Sequence, residues 1–113
     1  EKTLYVAENQ EQTIWAYALH ADGTLGARTV AGKLKEGKPW AGPDGIALDA
    51  KGRLLACEYG LSCVAVFEHG ELVARVALPD ANPSNLEFGG PDHRTLYVTG
   101  DQHGAVYTMR WER

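Results

Sequence analysis

Short runs rich in Val, Leu, Tyr and Trp, in which apolar and polar positions alternate, recur along the chain, and its thirteen Gly and five Pro fall between them. A period of two, bounded by turn residues, is the mark of half-buried strands joined by tight turns. The pattern predicts an all-β protein with few helices.

The chain also repeats itself. "TLYVAENQEQTIWAYAL" (Thr3 to Leu19) aligns without gaps on "TLYVTGDQHGAVYTMRW" (Thr95 to Trp111), and "LLACEYGLSCVAVF" (Leu54 to Phe67) fits between them. Leu4, Leu54 and Leu96 open the three copies, and Ile14, Val64 and Val106 each follow ten positions on. Each copy reads as two strands around a short polar loop. "GIALDA" and "SNLEFGG" supply a preceding strand to the second and third copies, while "ADGTLGARTV" and "HGELVARVAL" supply a following strand to the first and second. Four antiparallel strands over about 45 residues is the period of a propeller blade.

In chain order these are the last three strands of one blade, all four of the next and the first three of a third. The expected fold is a partial β-propeller of about two and a half four-stranded blades, filling residues 1–113 as one domain. An open ring exposes apolar faces and unpaired edges. Either a homodimer, with two chains closing a ring head to tail, or a missing N-terminal half is therefore expected to complete it.

Strand alternation puts the start of each blade's first strand and the loop between its second and third strands at the same end. Asp44 in "GPDGIALDA" and Asn85 in "NPSNLEFGG" stand at two such starts, ten and eleven residues before Leu54 and Leu96. Glu8, Glu58, Tyr59, Asp101 and His103 lie in loops of that end. First strands line the central channel, so oxygen ligands from successive blades could converge at its mouth, as a hard cation requires. Pro-Asp-Gly is equally a turn sequence, in which the carboxylate bonds backbone amides. Both readings of Asp44 stay open on spacing alone.

Composition narrows the partners. A formal charge of -4 with no basic cluster excludes a phosphate backbone as a natural ligand. No apolar run reaches bilayer length, so no membrane partner is expected, and Glu1-Lys2 begins neither a signal peptide nor a normal translation start. That start points to processing or a fragment, and the compartment reads as cytoplasmic. Cys57 and Cys63 flank one hairpin turn and are expected to be free, half-buried thiols rather than a disulfide. The aromatic residues Trp15, Tyr17, Phe67, Tyr97, Tyr107 and Trp111 recur at strand period and are expected to pack between blades. Trp40 could wall a pocket or cover a blade edge.

"GPDGIALDAKGRLLACEYG", followed by "GELVARVALPDANPSNLEFGGPDHRTLYVT", resembles the senescence marker protein, regucalcin and gluconolactonase family of six-bladed propellers. The resemblance runs from Thr3 to about Glu112 and corresponds to roughly the C-terminal half of a typical member. It implies a metal-dependent hydrolase of a small-molecule lactone, a sugar lactone or related ester, with one divalent metal, calcium before zinc. It implies further that Asp44 is both a metal ligand and the catalytic residue that activates water, and the family's other metal ligands fall outside this chain. Asn85, Tyr59 and Glu8 are the candidate substrate contacts. The rival expectation is a noncatalytic propeller piece that binds a ligand or a partner.

Overall fold

The computed structural model describes residues 2–34 and 41–112. They form ten strands: β1 (Lys2–Glu8), β2 (Thr13–Leu19), β3 (Leu25–Lys33), β4 (Gly42–Leu48), β5 (Leu54–Tyr59), β6 (Cys63–Glu68), β7 (Glu71–Ala77), β8 (Pro83–Gly89), β9 (Thr95–Gly100) and β10 (Ala105–Arg110). Hydrogen bonding divides them into sheets of order β1-β2-β3, β4-β5-β6-β7 and β8-β9-β10, every pair antiparallel. This is the three, four, three division read from the repeats, a partial propeller. No helix among the described residues is long and apolar enough to cross a membrane.

The three sheets pack face to face, and the middle one is covered on both sides. Its inner strands therefore read as almost unbroken apolar runs, "LLACEY" and "CVAVFE", in which five successive residues are buried. The outer sheets keep one open face and alternate, as in β10 with its half-buried and exposed positions.

Alternation along β5 and β6 divides the core into two layers. Leu54, Ala56, Ala65 and Phe67 meet Ile14 of the first sheet and Leu34 just past its end, while Leu55, Cys57, Val64 and Val66 meet Leu86, Leu96 and Val98 of the third and Trp111 just past its end. Phe88 and Trp111 pack edge to face at 6.0 Å. Phe67 and Trp111 thus pack between sheets as expected. Tyr97 does not: it is 40% exposed on the open face of the third sheet. Trp15 and Tyr17 are half-buried on the open face of the first. Trp40 lies outside the described residues.

Cys57 and Cys63 are both free and buried. Cys57 pairs with Val64 and shares its face, whereas Cys63 pairs with Glu58 one step along, so the two thiols point to opposite faces of one sheet.

The repeat also fixes the loops. Gln12, Ser62 and Gly104 end the loops β1–β2, β5–β6 and β9–β10 and all take positive φ, 51°, 57° and 61°. That shared left-handed residue gives the three loops one shape and turns each into the strand that follows it.

Candidate functional site

The loops β1–β2, β5–β6 and β9–β10 and the starts of β4 and β8 gather at one end of the molecule. Asn9 Nδ2 donates to the Pro43 carbonyl at 3.5 Å and Gln12 Nε2 to that of Ala41 at 3.4 Å, which ties the first loop to the start of β4. Ser62 N donates to the Ala81 carbonyl and Asp101 N to that of Asn82, which ties the other two loops to the start of β8.

Asp44 sits on a bulge in this end. The β4–β5 register runs Pro43↔Glu58 and resumes at Ile46↔Ala56, so Asp44 and Gly45 bow out of the ladder. Bulges of this kind re-aim a side chain. The Asp44 side chain is exposed, and its carboxylate accepts no hydrogen bond from any described residue. The other aspartates behave differently. Asp22 accepts from Thr24 N, Asp49 from Lys51 N and Arg53 N, Asp80 from Asn82 N, and Asp92 from Arg94 N, each closing its own turn. Asp101 accepts from Tyr59 Oη at 2.7 Å. Asp44 is placed in a turn sequence without doing a turn aspartate's work. Partial burial, and then the charge of Asp101, push its carboxyl above the ordinary value.

Tyr59, on the β5–β6 side, reaches across to Asp101 on the third sheet and bridges two blades beside Asp44. Its phenol is pushed up, first by that hydrogen bond and then by burial and the carboxylate charges of Asp101, Asp44 and Asp80.

Asn85 also lies beside the Asp44 bulge, but not at the equivalent position. The β8–β9 register skips from Pro83↔Gly100 to Asn85↔Thr99, so a matching bulge occurs there. Gly100 is the counterpart of Glu58 and Pro83 that of Pro43, which makes Ser84, not Asn85, the counterpart of Asp44. Counting back from Leu54 and Leu96 missed this by one residue, because the stretch from the pair that opens the bulge to the turn is one residue longer in each of β8 and β9 than in β4 and β5. Asn85 Oδ1 accepts from Leu86 N at 2.9 Å, and its residue fills the space in front of Gly45. Ser84 Oγ shares a hydrogen bond with Thr99 Oγ1 at 2.8 Å.

Two residues of the expected mouth go elsewhere. Glu8 lies on the open face of the first sheet, where its Oε1 accepts from Trp15 Nε1 at 2.7 Å, so it does not converge on Asp44. Glu58 is 0% exposed and holds Arg75 Nε at 2.8 Å and Cys63 Sγ at 2.7 Å. It is an internal anion with partners, closed to any ligand.

Asp80 was not visible as a site-shaping residue in sequence. Its carboxylate, 1% exposed, takes the backbone amides of Asn82, Gln102 and His103 and the hydroxyl of Tyr107. Burial works against the charge, but those donors outweigh it and hold the carboxyl below its ordinary value. This knot fixes the loop that carries Asp101.

Among the described residues no three His, Cys, Asp or Glu side chains come together as a metal site. What the mouth offers a cation is the unpartnered carboxylate of Asp44, with the carboxylate of Asp101 near enough to act on it electrostatically. Oxygen donors of this type suit a hard cation. They are one part of a coordination shell.

A family described as SMP-30/Gluconolactonase/LRE-like region matches residues 1–102. The pentonolactonase XacC of Haloferax volcanii is 30% identical over 107 residues, which cover 90% of this chain and 36% of that protein. A solved gluconolactonase from Xanthomonas campestris superposes with a TM-score of 0.78 at 28% identity, over 97% of this chain and 34% of that one. A structure described as a calcium-binding protein, regucalcin, from Agrobacterium tumefaciens gives a TM-score of 0.81 at 24% identity, over 95% and 41% respectively. The chain thus spans between a third and about two fifths of the length of these relatives.

Proposed function

The chain belongs to the SMP-30/gluconolactonase/LRE-like family, and from that premise we propose that it carries the water-activating carboxylate of a sugar-lactone hydrolase. One observation bears most of this reading: Asp44 is raised on a bulge at the mouth with its carboxylate free of every described residue. Relatives named pentonolactonase, 6-deoxy-6-sulfogluconolactonase and gluconolactonase supply the substrate class.

Opening a lactone needs a nucleophile at the ring carbonyl and a base for the proton it sheds. Asp44 Oδ accepts the proton of a water as that water attacks, and the same carboxyl returns it to the ring oxygen as the C–O bond breaks. A carboxyl raised above its ordinary value accepts that proton more readily than a free aspartate. Asn85 Nδ2, whose amide oxygen is already committed to Leu86 N, has a donor to offer a substrate hydroxyl. Tyr59 and Asp101 form the neighbouring wall. Glu8 has no part in this arrangement.

The proposed cofactor is one divalent metal held in part by Asp44, and calcium fits a carboxylate oxygen better than zinc does. Bound there, a cation would polarise the lactone carbonyl and acidify the attacking water. The remaining ligands are expected from outside the described residues.

The test is proton release from glucono-1,5-lactone, followed with and without calcium for the wild type and Asp44→Asn. Calcium-stimulated turnover that the substitution removes supports the reading. Turnover that survives Asp44→Asn overturns it, and a protein with neither calcium affinity nor turnover is the noncatalytic binding piece.

A further inference from the structure

The two sheet-to-sheet contacts inside this chain are built on the same repeat positions, and the first sheet presents a third copy of them that no other described sheet covers. Leu54 and Leu96 begin β5 and the apolar stretch of β9, are 5% and 0% exposed, and each packs on the preceding sheet. Leu4 holds the same repeat position and is 40% exposed. Val6 is 38% exposed where its counterparts Ala56 and Val98 are 0%. Pairing of Leu4 with Tyr17, Val6 with Trp15 and Trp15 with Val30 makes these one continuous apolar face.

The other end of the chain presents the complementary half of the same contact. Leu55 and Val64 are 0% exposed where the second sheet meets the third. Their counterparts in the third sheet, Tyr97 and Val106, are 40% and 62% exposed. Lys2, Arg28 and Glu8 lie on the open face of the first sheet, while Glu87 lies on that of the third, where Arg110 is paired with Asp92 and Glu112.

We propose that the open face of the first sheet is covered by the open face of the third sheet of a second copy of this chain, the contact being made twice around a two-fold axis so that two chains close a ring of six sheets. The contact is heterologous, head to tail, and continues the two interfaces already inside each chain. Closure leaves no exposed apolar end and makes the second contact intramolecular once the first has formed. The two-fold runs along the channel, so both Asp44 carboxylates face the same mouth. Association is measured without turnover, so this inference stands or falls independently of the lactonase reading.

Light scattering on a sizing column should give twice the 12.3 kDa mass of one chain. Val6→Lys and Val106→Lys, each on an exposed side chain, should each reduce the mass to one chain while circular dichroism keeps its β signal. Mixing them leaves one intact contact, the first sheet of Val106→Lys against the third of Val6→Lys, so a dimer should return only in the mixture. A wild-type monomer at every concentration overturns the proposal and assigns both faces to neighbouring blades of a longer polypeptide. A dimer lost with Val6→Lys but kept with Val106→Lys overturns it in favour of first sheets packing on each other. Species growing beyond two chains overturn the closure.

Discussion

Gly45 of the second sheet lies so close to Asn85 of the third that any β-carbon at position 45 would meet the Asn85 side chain and stand 2.5 Å from its Cα. The glycine is required by this approach of two blades at the mouth, not by its own backbone angles, since it is not among the residues with positive φ. Gly45→Ala must push the start of β8 away from β4, and overpacking of this kind costs about 1–3 kcal/mol. A urea melt should show it as a lowered midpoint. Asn85→Gly in the same chain should recover only part, because the Asn85 backbone is itself among the atoms met. A wild-type midpoint for Gly45→Ala would mean that the two blades are not in this contact.

Asp80 should hold a whole loop as well as a share of the stability. Removing its carboxylate in Asp80→Ala leaves the amides of Gln102 and His103 without their acceptor. Hydrogen exchange at those two amides should accelerate ahead of the β9 and β10 amides. The pH dependence follows from the lowered carboxyl. The folded state holds the charged form more tightly than the unfolded chain does, so the contribution is complete above the unfolded value and is lost as pH falls through the folded one. Urea midpoints should therefore drop below about pH 4 in the wild type, near the ordinary aspartate value, and drop less steeply in Asp80→Asn.

Much of this architecture was legible because the repeat exposes it. Aligning Leu4, Leu54 and Leu96 was enough to place ten strands in three sheets, since each copy solves the same packing problem with the same period. The site was less legible. Asp44 could be placed at the mouth from strand alternation, but nothing local in "GPDG" distinguishes a turn carboxylate from an unpartnered one. Only the ladder shows that Pro43 pairs and Asp44 bows out. Asn85 was set one residue off because β8 and β9 each run one residue further from bulge to turn than β4 and β5 do, a difference that spacing alone does not show. Glu8 was set at the mouth by loop membership, although the parity of β1 turns it to the outer face with Trp15. Long-range knots such as that of Asp80 with residues 102, 103 and 107 have no sequence signal at all.

The two thiols should be inert in the folded protein. Burial pushes both Cys57 and Cys63 up to about 12, with the charge of Asp44 adding to the first and the hydrogen bond to Glu58 adding to the second. The thiolate is the reactive form, so at pH 8 a disulfide reagent such as DTNB should titrate neither cysteine in native buffer and both in guanidinium chloride. Oxidising conditions should not produce a Cys57–Cys63 bridge, because the thiols lie on opposite faces of the sheet. One fast-reacting thiol in the native protein, or a bridged peptide in a non-reducing digest, would contradict this arrangement.

Asp44 should prove dispensable for folding and indispensable for turnover, a combination that none of the turn aspartates shares. Its carboxylate takes no hydrogen bond from the described chain, so Asp44→Asn removes no contact. Loss of a general base of this kind typically costs about 10²–10⁴-fold in rate. Stability should move the other way. Partial burial and the charge of Asp101 raise the Asp44 carboxyl, so the folded state binds its proton more tightly than the unfolded chain. By linkage, stability then falls as pH rises through that window, and the ionised group is a net cost above the folded value. Asp44→Asn should therefore unfold at a higher urea concentration than the wild type at pH 7. The gain should fade as pH falls below the ordinary aspartate value, where the wild-type group is neutral in both states. Asp49→Asn is the contrast. It loses a charged acceptor shared by Arg53 and Trp111, and should be less stable at pH 7. A destabilised Asp44→Asn would mean that the carboxylate has a structural partner after all, and would return Asp44 to the turn reading.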